Sequence, residues 1–310
     1  MSDESNTGVL YTDYSNLAET TPIVALWSYE SCTRGGRPAV ARHADGSDGY
    51  WLERSDPLLS TILPGTSVSL IVNFGDRWTV RQSLVRPDTI PRACAIGPFT
   101  QSAGLQVGRI VRAVGAVLPA PLASRLLGVP ASALVDCIQP LQDFLAVNDV
   151  CRQMTSLSGV ELPRIVIALR DDLLRRVNSL GFDPVCDQAA REIRQRAARV
   201  SIDELARSHG LGRQQFSSRF GLATGLSPKL FARMTRFHAL VRALLSADVS
   251  KWASVSLDVG YYDQAHMINE FRTFAGLPPT RFFQPPRGAN RDRSSVRRSG
   301  WRGEWRRRPV

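Results

Sequence analysis

Arg213-Gln-Gln-Phe-Ser-Ser-Arg-Phe-Gly-Leu-Ala-Thr-Gly-Leu-Ser-Pro-Lys-Leu-Phe231 recurs, altered but in register, as Gln264-Ala-His-Met-Ile-Asn-Glu-Phe-Arg-Thr-Phe-Ala-Gly-Leu-Pro-Pro-Thr-Arg-Phe282. A fixed offset of 51 residues aligns Phe220 with Phe271, Gly225 with Gly276, Leu226 with Leu277, Pro228 with Pro279 and Phe231 with Phe282. Self-similarity at a fixed period marks a repeated structural unit. In the first copy, Ser201 followed by Glu204 forms a capping box that opens a helix over 202–209, and Gly210-Leu211-Gly212 breaks it. A second helix starts near Arg213 and puts Phe216 and Phe220 on one face, where they can pack on Leu205, Ala206 and Leu211. The second copy repeats this plan, with Val255 and Val259 on its first helix and a turn at Gly260-Tyr261 one residue longer than its counterpart. A second helix follows from Asp263 and buries Met267 and Phe271.

Helix, tight glycine turn, helix is the plan of a unit whose second helix enters the major groove of DNA. Opposite Phe216 and Phe220 lie Gln214, Ser217 and Ser218, with Gln215 beside them. Opposite Met267 and Phe271 lie Ala265, Ile268 and Asn269, with Gln264 and His266 at the entry. Amides and hydroxyls suit base edges, so Gln214, Gln215, Ser217, Ser218, Gln264, His266 and Asn269 are the candidate base readers. Arg213, Arg219, Lys229, Arg233 and Arg272 suit phosphates. Between the units, residues 228–247 read as one helix of about 30 Å, which approaches the roughly 34 Å of one turn of B-DNA. One chain could therefore reach two successive major grooves.

Charge supports a polyanionic partner. The net charge of +11 is the sum of an even balance over residues 1–199 (20 basic, 20 acidic), +4 over 200–286 and +7 over 287–310. A neutral first part joined to a basic last part suggests sensing or assembly attached to nucleic-acid binding. The arginine tail from Arg287, with Trp301 and Trp305 inside it, reads as a disordered segment that adds affinity without sequence preference.

The first half carries short β-like runs, of which Val68–Phe74 is the clearest, between Pro64-Gly65 and Gly75-Asp76. Residues 93–96 and 110–118 are weaker strands, whereas 120–127 and 134–145 look helical. From Leu162 the spacing turns helical, with Ile165, Ala168, Leu169, Leu173 and Val177 on one face. Gly181, Asp183 and Pro184 then mark the domain boundary. The fold class is α+β: a β-rich mixed N-terminal domain, then an all-α domain with two helix-turn-helix units joined by a linker helix. The expected divisions are a disordered 1–15, a sensing or dimerisation domain over 16–158, a helical connector over 159–183, the DNA-binding domain over 184–286 and the basic tail.

These residues carry a resemblance. Leu205-Ala206 with Gly210, the Phe216/Phe220 helix, Gly225-Leu-Ser-Pro228 and Val259-Gly-Tyr-Tyr-Asp-Gln-Ala-His266 before Phe271 and Gly276 resemble the AraC/XylS family of bacterial transcription regulators. Met267 departs from the aromatic or Leu usual there, a tolerable core exchange. Leu63–Gly75, Ile96-Gly-Pro98 and Leu126-Leu-Gly-Val-Pro130 resemble an N-terminal domain of some members. The resemblance implies gene regulation, with double-stranded operator DNA as partner. RNA polymerase, a small-molecule effector and a second copy of the chain are further candidate partners. Trp27, Tyr29, Trp51, Phe74, Trp78 and Phe99 could line an effector pocket, but core packing is the simpler reading.

Other classes find little support. The five cysteines include no C-x-x-C and the four histidines no paired ligand spacing, so neither a metal nor a cofactor is expected. There is no nucleophile elbow, phosphate loop or dinucleotide fingerprint, and the expectation is no enzyme. The rival is an enzymatic repair or hydrolytic domain fused to a DNA-binding tail, with Cys32 or Cys94 as suspect nucleophile; neither has a His nearby in sequence. A general nucleic-acid architectural protein is a second rival. No apolar run is long enough for a membrane span and no signal peptide opens the chain, so a cytoplasmic location is expected. Deleting residues 287–310 should flatten the salt dependence of DNA binding while leaving the preferred site unchanged; a changed consensus in a selection from random DNA would contradict this.

Overall fold

The computed structural model describes residues 10–13, 25–32, 51–53, 59–81, 89–108, 110–144, 161–177, 183–196, 200–246 and 252–283. The basic tail and the Gly181 turn lie outside these. The N-terminal part is two antiparallel sheets. The larger runs β1 (Leu10–Asp13), β2 (Ala25–Cys32), β9 (Ile110–Pro119), β5 (Ser67–Asn73), β7 (Ala93–Ile96), β10 (Ile138–Pro140), in that spatial order. The smaller runs β3 (Trp51–Glu53), β4 (Leu59–Ile62), β8 (Ala103–Gln106), β6 (Thr79–Arg81). Strand β1, paired along β2 from Leu10 opposite Glu30, falls inside the stretch expected to be disordered.

The alternation read in Val68–Phe74 is a division between two cores rather than between core and solvent. Val68, Leu70 and Val72 join Leu26, Val114, Ala116 and Leu118 beneath helices α1 (Ala120–Leu127) and α2 (Leu162–Val177). Ile71 points the other way, into a core with Trp27, Trp78, Phe99 and Leu105 between the sheets. Both faces of β5 are covered, one by α1 and α2 and the other by the core shared with the smaller sheet, while β9 and β7 pair its two edges. Trp27, Trp78 and Phe99 are therefore core residues. On α2, Ile165, Leu169, Leu173 and Val177 are buried as the spacing predicts, but Ala168 is exposed and Val166 takes its place inward.

The helix expected over 134–145 is not formed. A short 3₁₀ turn at Ala131–Leu134 gives way to β10 and a second 3₁₀ turn at Leu141–Asp143. Asp136 sits at φ 53, outside helical space, and its carboxylate accepts from Thr100 N and Oγ1 at 2.7 Å each. Pro140, with no N–H to donate, then limits the segment to an edge strand.

The C-terminal part is all-helical: α3 (Pro184–Gln195), α4 (Ile202–Ser208), α5 (Arg213–Thr224), α6 (Pro228–Ser246), α7 (Trp252–Val259), α8 (Gln264–Ala275) and α9 (Pro279–Phe282). Among the described residues no helix is long and apolar enough to cross a membrane. The two parts dock on each other. Leu63 is buried in the helical core, the Pro64 carbonyl meets His238 Nε2 on α6, and Thr66 Oγ1 accepts from Arg194 Nη2 at 3.3 Å. Arg125 pairs with Asp187 at 3.4 Å, and Ser102 N donates to the Phe274 carbonyl at the end of α8 at 2.9 Å.

Gly225 shows how close this docking is. It ends α5 at φ 76, and a Cβ there would lie 2.6 Å from the Ala131 carbonyl oxygen and 2.6 Å from Val135 Cγ2. Gly210 has a similar φ of 68 but no neighbour within 4 Å of a Cβ. Gly210→Ala should cost about 1–2 kcal/mol from the left-handed backbone alone, and Gly225→Ala clearly more. Thermal melting of both variants checks this, and equal losses would show that the two parts do not pack here as described.

Candidate nucleic-acid interface

In the first unit Ser201 Oγ accepts from Glu204 N at 3.3 Å and caps α4. Gly210 turns the chain, and Leu211 N donates back to the Ala206 carbonyl at 2.9 Å. Helix α5 then buries Phe216 and Phe220 completely; their ring centroids are 5.7 Å apart, and Phe220 meets Phe231 of α6 edge-on at 5.3 Å. In the second unit Asp263 caps α8 by accepting from His266 N at 2.7 Å. Met267 and Phe271 are equally buried, with Phe271 5.3 Å from both Phe237 and Phe282.

The two copies match bond for bond with a shift. Leu211 N to Ala206 O reappears as Tyr261 N to Ser256 O, and Gly210 N to Arg207 O as Gly260 N to Leu257 O, at an offset of 50 rather than 51. The extra residue of the second turn is Tyr262, which is 87% exposed just before the α8 cap. Helices α5 and α8 are each 12 residues long and return to the 51-residue offset.

The candidate base readers lie on the outer faces. Gln214, Gln215 and Ser218 on α5 and Gln264, His266 and Asn269 on α8 are exposed, and Ser217 is half-buried. The expected core, Leu205, Ala206, Phe216, Phe220, Met267 and Phe271, is buried throughout. Two helices of equal length thus turn uncharged hydrogen-bonding groups outward from opposite halves of one helical core, the arrangement with which base edges in a groove are read.

Residues 205–285 match a family described as a helix-turn-helix domain. This part of the chain is an AraC-type helix-turn-helix domain. The protein is a DNA-binding transcription regulator. No curated protein matches the chain. Among solved structures, ToxT from Vibrio cholerae O395 is 8% identical, with 76% of this chain and 95% of that chain covered and a TM-score of 0.40. ToxT from Vibrio cholerae strain SCE256 bound to an unsaturated fatty acid is 9% identical, with 70% and 85% covered and a TM-score of 0.37. The AraC-like transcriptional activator CuxR is 14% identical, with 81% and 99% covered and a TM-score of 0.24.

Within the AraC-type domain the five basic residues expected at phosphates have different surroundings. Lys229 and Arg272 are exposed. Arg213, also exposed, pairs with the exposed Asp203 at 3.2 Å. Arg219 makes two bonds of 3.0 Å to the Asp183 carboxylate, which also accepts from Val185 N and Cys186 N as the cap of α3. Burial pushes the Asp183 carboxyl up, but hydrogen bonds and charge from Arg219 and the Cys186 amide outweigh it and hold it below the usual carboxylate range. Burial and the neighbouring Asp183 push the Cys186 thiol up to about 12. Arg233 donates to Glu270 Oε2 at 2.9 Å and lies over the Phe274 ring at 5.2 Å.

Glu270, buried on α8, is the residue that sequence reasoning left without a role. It accepts from Arg233 and, through both oxygens at 2.9 and 3.0 Å, from Arg236 Nη2; His266 Nε2 is 3.9 Å away. Arg236 also covers the Tyr261 ring at 4.6 Å. Burial and the Glu270 charge push the Tyr261 hydroxyl pKa upward. The signal was present in the spacing, since positions 267, 270, 271 and 274 share the inner face of one helix. Phe220→Ala or Phe271→Ala should cost about 3–5 kcal/mol through the cavity each leaves. Calorimetric melting with far-UV circular dichroism measures this, and an unchanged transition would argue against these rings as the centres of their units.

Proposed function

We propose that the chain recognises its operator by placing α5 and α8 in two successive major grooves on one face of the duplex, with the N-terminal part modulating that binding. The observation that carries this reading is the pair of equal helices with polar outer faces, both packed on α6, α5 at Phe231 and α8 at Phe237. At 19 residues, α6 is about 28 Å long, enough to carry both units on one support. Gln214, Gln215, Ser217 and Ser218 read one groove; Gln264, His266 and Asn269 read the other. Arg213, Lys229 and Arg272 contact phosphates. RNA polymerase is the partner through which occupancy changes transcription. The N-terminal part is where a small-molecule effector or a second copy of the chain would act, because its loops touch α3, α6 and α8 directly.

Selecting bound sequences from a random DNA pool with the full chain tests this. The expected product is two conserved blocks about one helical turn apart. Gln214→Ala and Asn269→Ala should each weaken binding to that site by about 1–3 kcal/mol and relax a different block, with little effect on random DNA. A single block, or equal losses on both DNAs, would overturn two-groove reading by these residues.

A further inference from the structure

The offset that superposes α5 on α8 also superposes Arg219 on Glu270. Both side chains are held by two-pronged ion pairs to another helix of the domain, Arg219 from an exposed position and Glu270 from a buried one. Arg219 holds Asp183, 36 residues before it, at the start of α3. Glu270 holds Arg233 and Arg236, 37 and 34 residues before it, on α6. Equivalent positions thus carry ion pairs of reversed polarity, to α3 in the first copy and to α6 in the second. The Glu270 side chain is only 4% exposed, an expensive place for a carboxylate unless its hydrogen bonds are all used, and three arginine nitrogens use them. In a domain that binds a polyanion, a carboxylate on a reading helix works against long-range attraction. Its presence needs a short-range reason.

We propose that Arg219 and Glu270 are equivalent positioning residues, which set the roll of α5 and α8 about their axes so that the reading side chains point into the groove. Asp183, Arg233 and Arg236 are their anchors. Arg219 and Arg233 are then struts within the protein and not phosphate contacts. A two-pronged guanidinium–carboxylate pair suits this task because it fixes an angle as well as a distance. The inference rests on the DNA-reading function proposed above.

The test compares the full chain with Asp183→Asn, Glu270→Gln and Arg219→Gln. Each is measured on the duplex that the wild-type chain selects from a random pool and on a random duplex of equal length. Asn can keep the α3 cap through its one oxygen, so Asp183→Asn removes the charge and the prong that Arg219 Nε makes to Oδ2. Positioning predicts that Asp183→Asn and Glu270→Gln weaken binding to the selected duplex on the order of tenfold, or 1.4 kcal/mol, although each removes a negative charge. Binding to the random duplex should hold or tighten. Arg219→Gln should lose as much as Asp183→Asn with an unchanged slope of log Kd against log salt.

If Asp183→Asn instead tightens binding to both duplexes, or Arg219→Gln lowers the slope by about 0.9, Arg219 grips a phosphate and the proposal fails. A wild-type chain that does not distinguish the duplexes would sink the DNA-reading function instead. The pairing is then judged on melting alone, where Asp183→Asn with Arg219→Gln should cost no more than the larger single loss. Additive losses would overturn it. Should Glu270→Gln fail to fold, the Asp183 and Arg219 variants decide.

Discussion

A helix can turn polar groups outward only if its other side has somewhere apolar to go, and in this protein α6 supplies that place for both α5 and α8. Phe231, Met234, Phe237, Leu240 and Val241 of α6 are completely buried. Phe220 of α5 closes on Phe231, and Phe271 and Phe274 of α8 close on Phe237 at 5.3 and 5.2 Å. Edge-on and tilted rings at these separations add specific orientation to burial. Because both units use one scaffold, their separation is fixed by where along α6 each ring cluster falls. Caps, turns and outer faces follow from that common support.

The same dependence explains what could be read from the sequence. Aromatic residues at helical spacing and left-handed glycines are local signals, so Phe216/Phe220, Met267/Phe271, Gly210, Gly225 and Gly276 were legible. The extra turn residue was legible too, though only the backbone bonds identify it as Tyr262. The run 134–145 misled because its apolar spacing is helix-like, while the carboxylate of Asp136 finds a partner at Thr100, 36 residues away. Nothing local announces that partner. The partners of the arginines were not legible for a similar reason: composition counts charge, but the carboxylates of Asp183 and Glu270 that meet Arg219 and Arg233 lie more than 30 residues away along the chain.

The sequence also suggested two separable parts, neutral and basic. In the structure the boundary is a packed contact. Leu63 belongs to the helical core, and the two loops that flank β4–β5 and β7–β8 reach α6 and α8 through Pro64 and Ser102. Two arginines take part, Arg125 against Asp187 and Arg194 against Thr66. The rest of the contact is a buried leucine, backbone carbonyls and amides, and a glycine with no room for a side chain, so it is set by shape and short-range pairing rather than by long-range attraction.

The reversed polarity at Arg219 and Glu270 has a consequence for how the duplicated units can be recombined. Two copies of one motif invite the idea that their reading helices are interchangeable cassettes. Moved onto the α8 position, the α5 sequence would set a guanidinium against Arg233 and Arg236; moved the other way, α8 would set a carboxylate against Asp183. Each cassette carries a key that fits only its own lock. The copies therefore differ in their outer faces, and each of α5 and α8 matches only its own supporting helix.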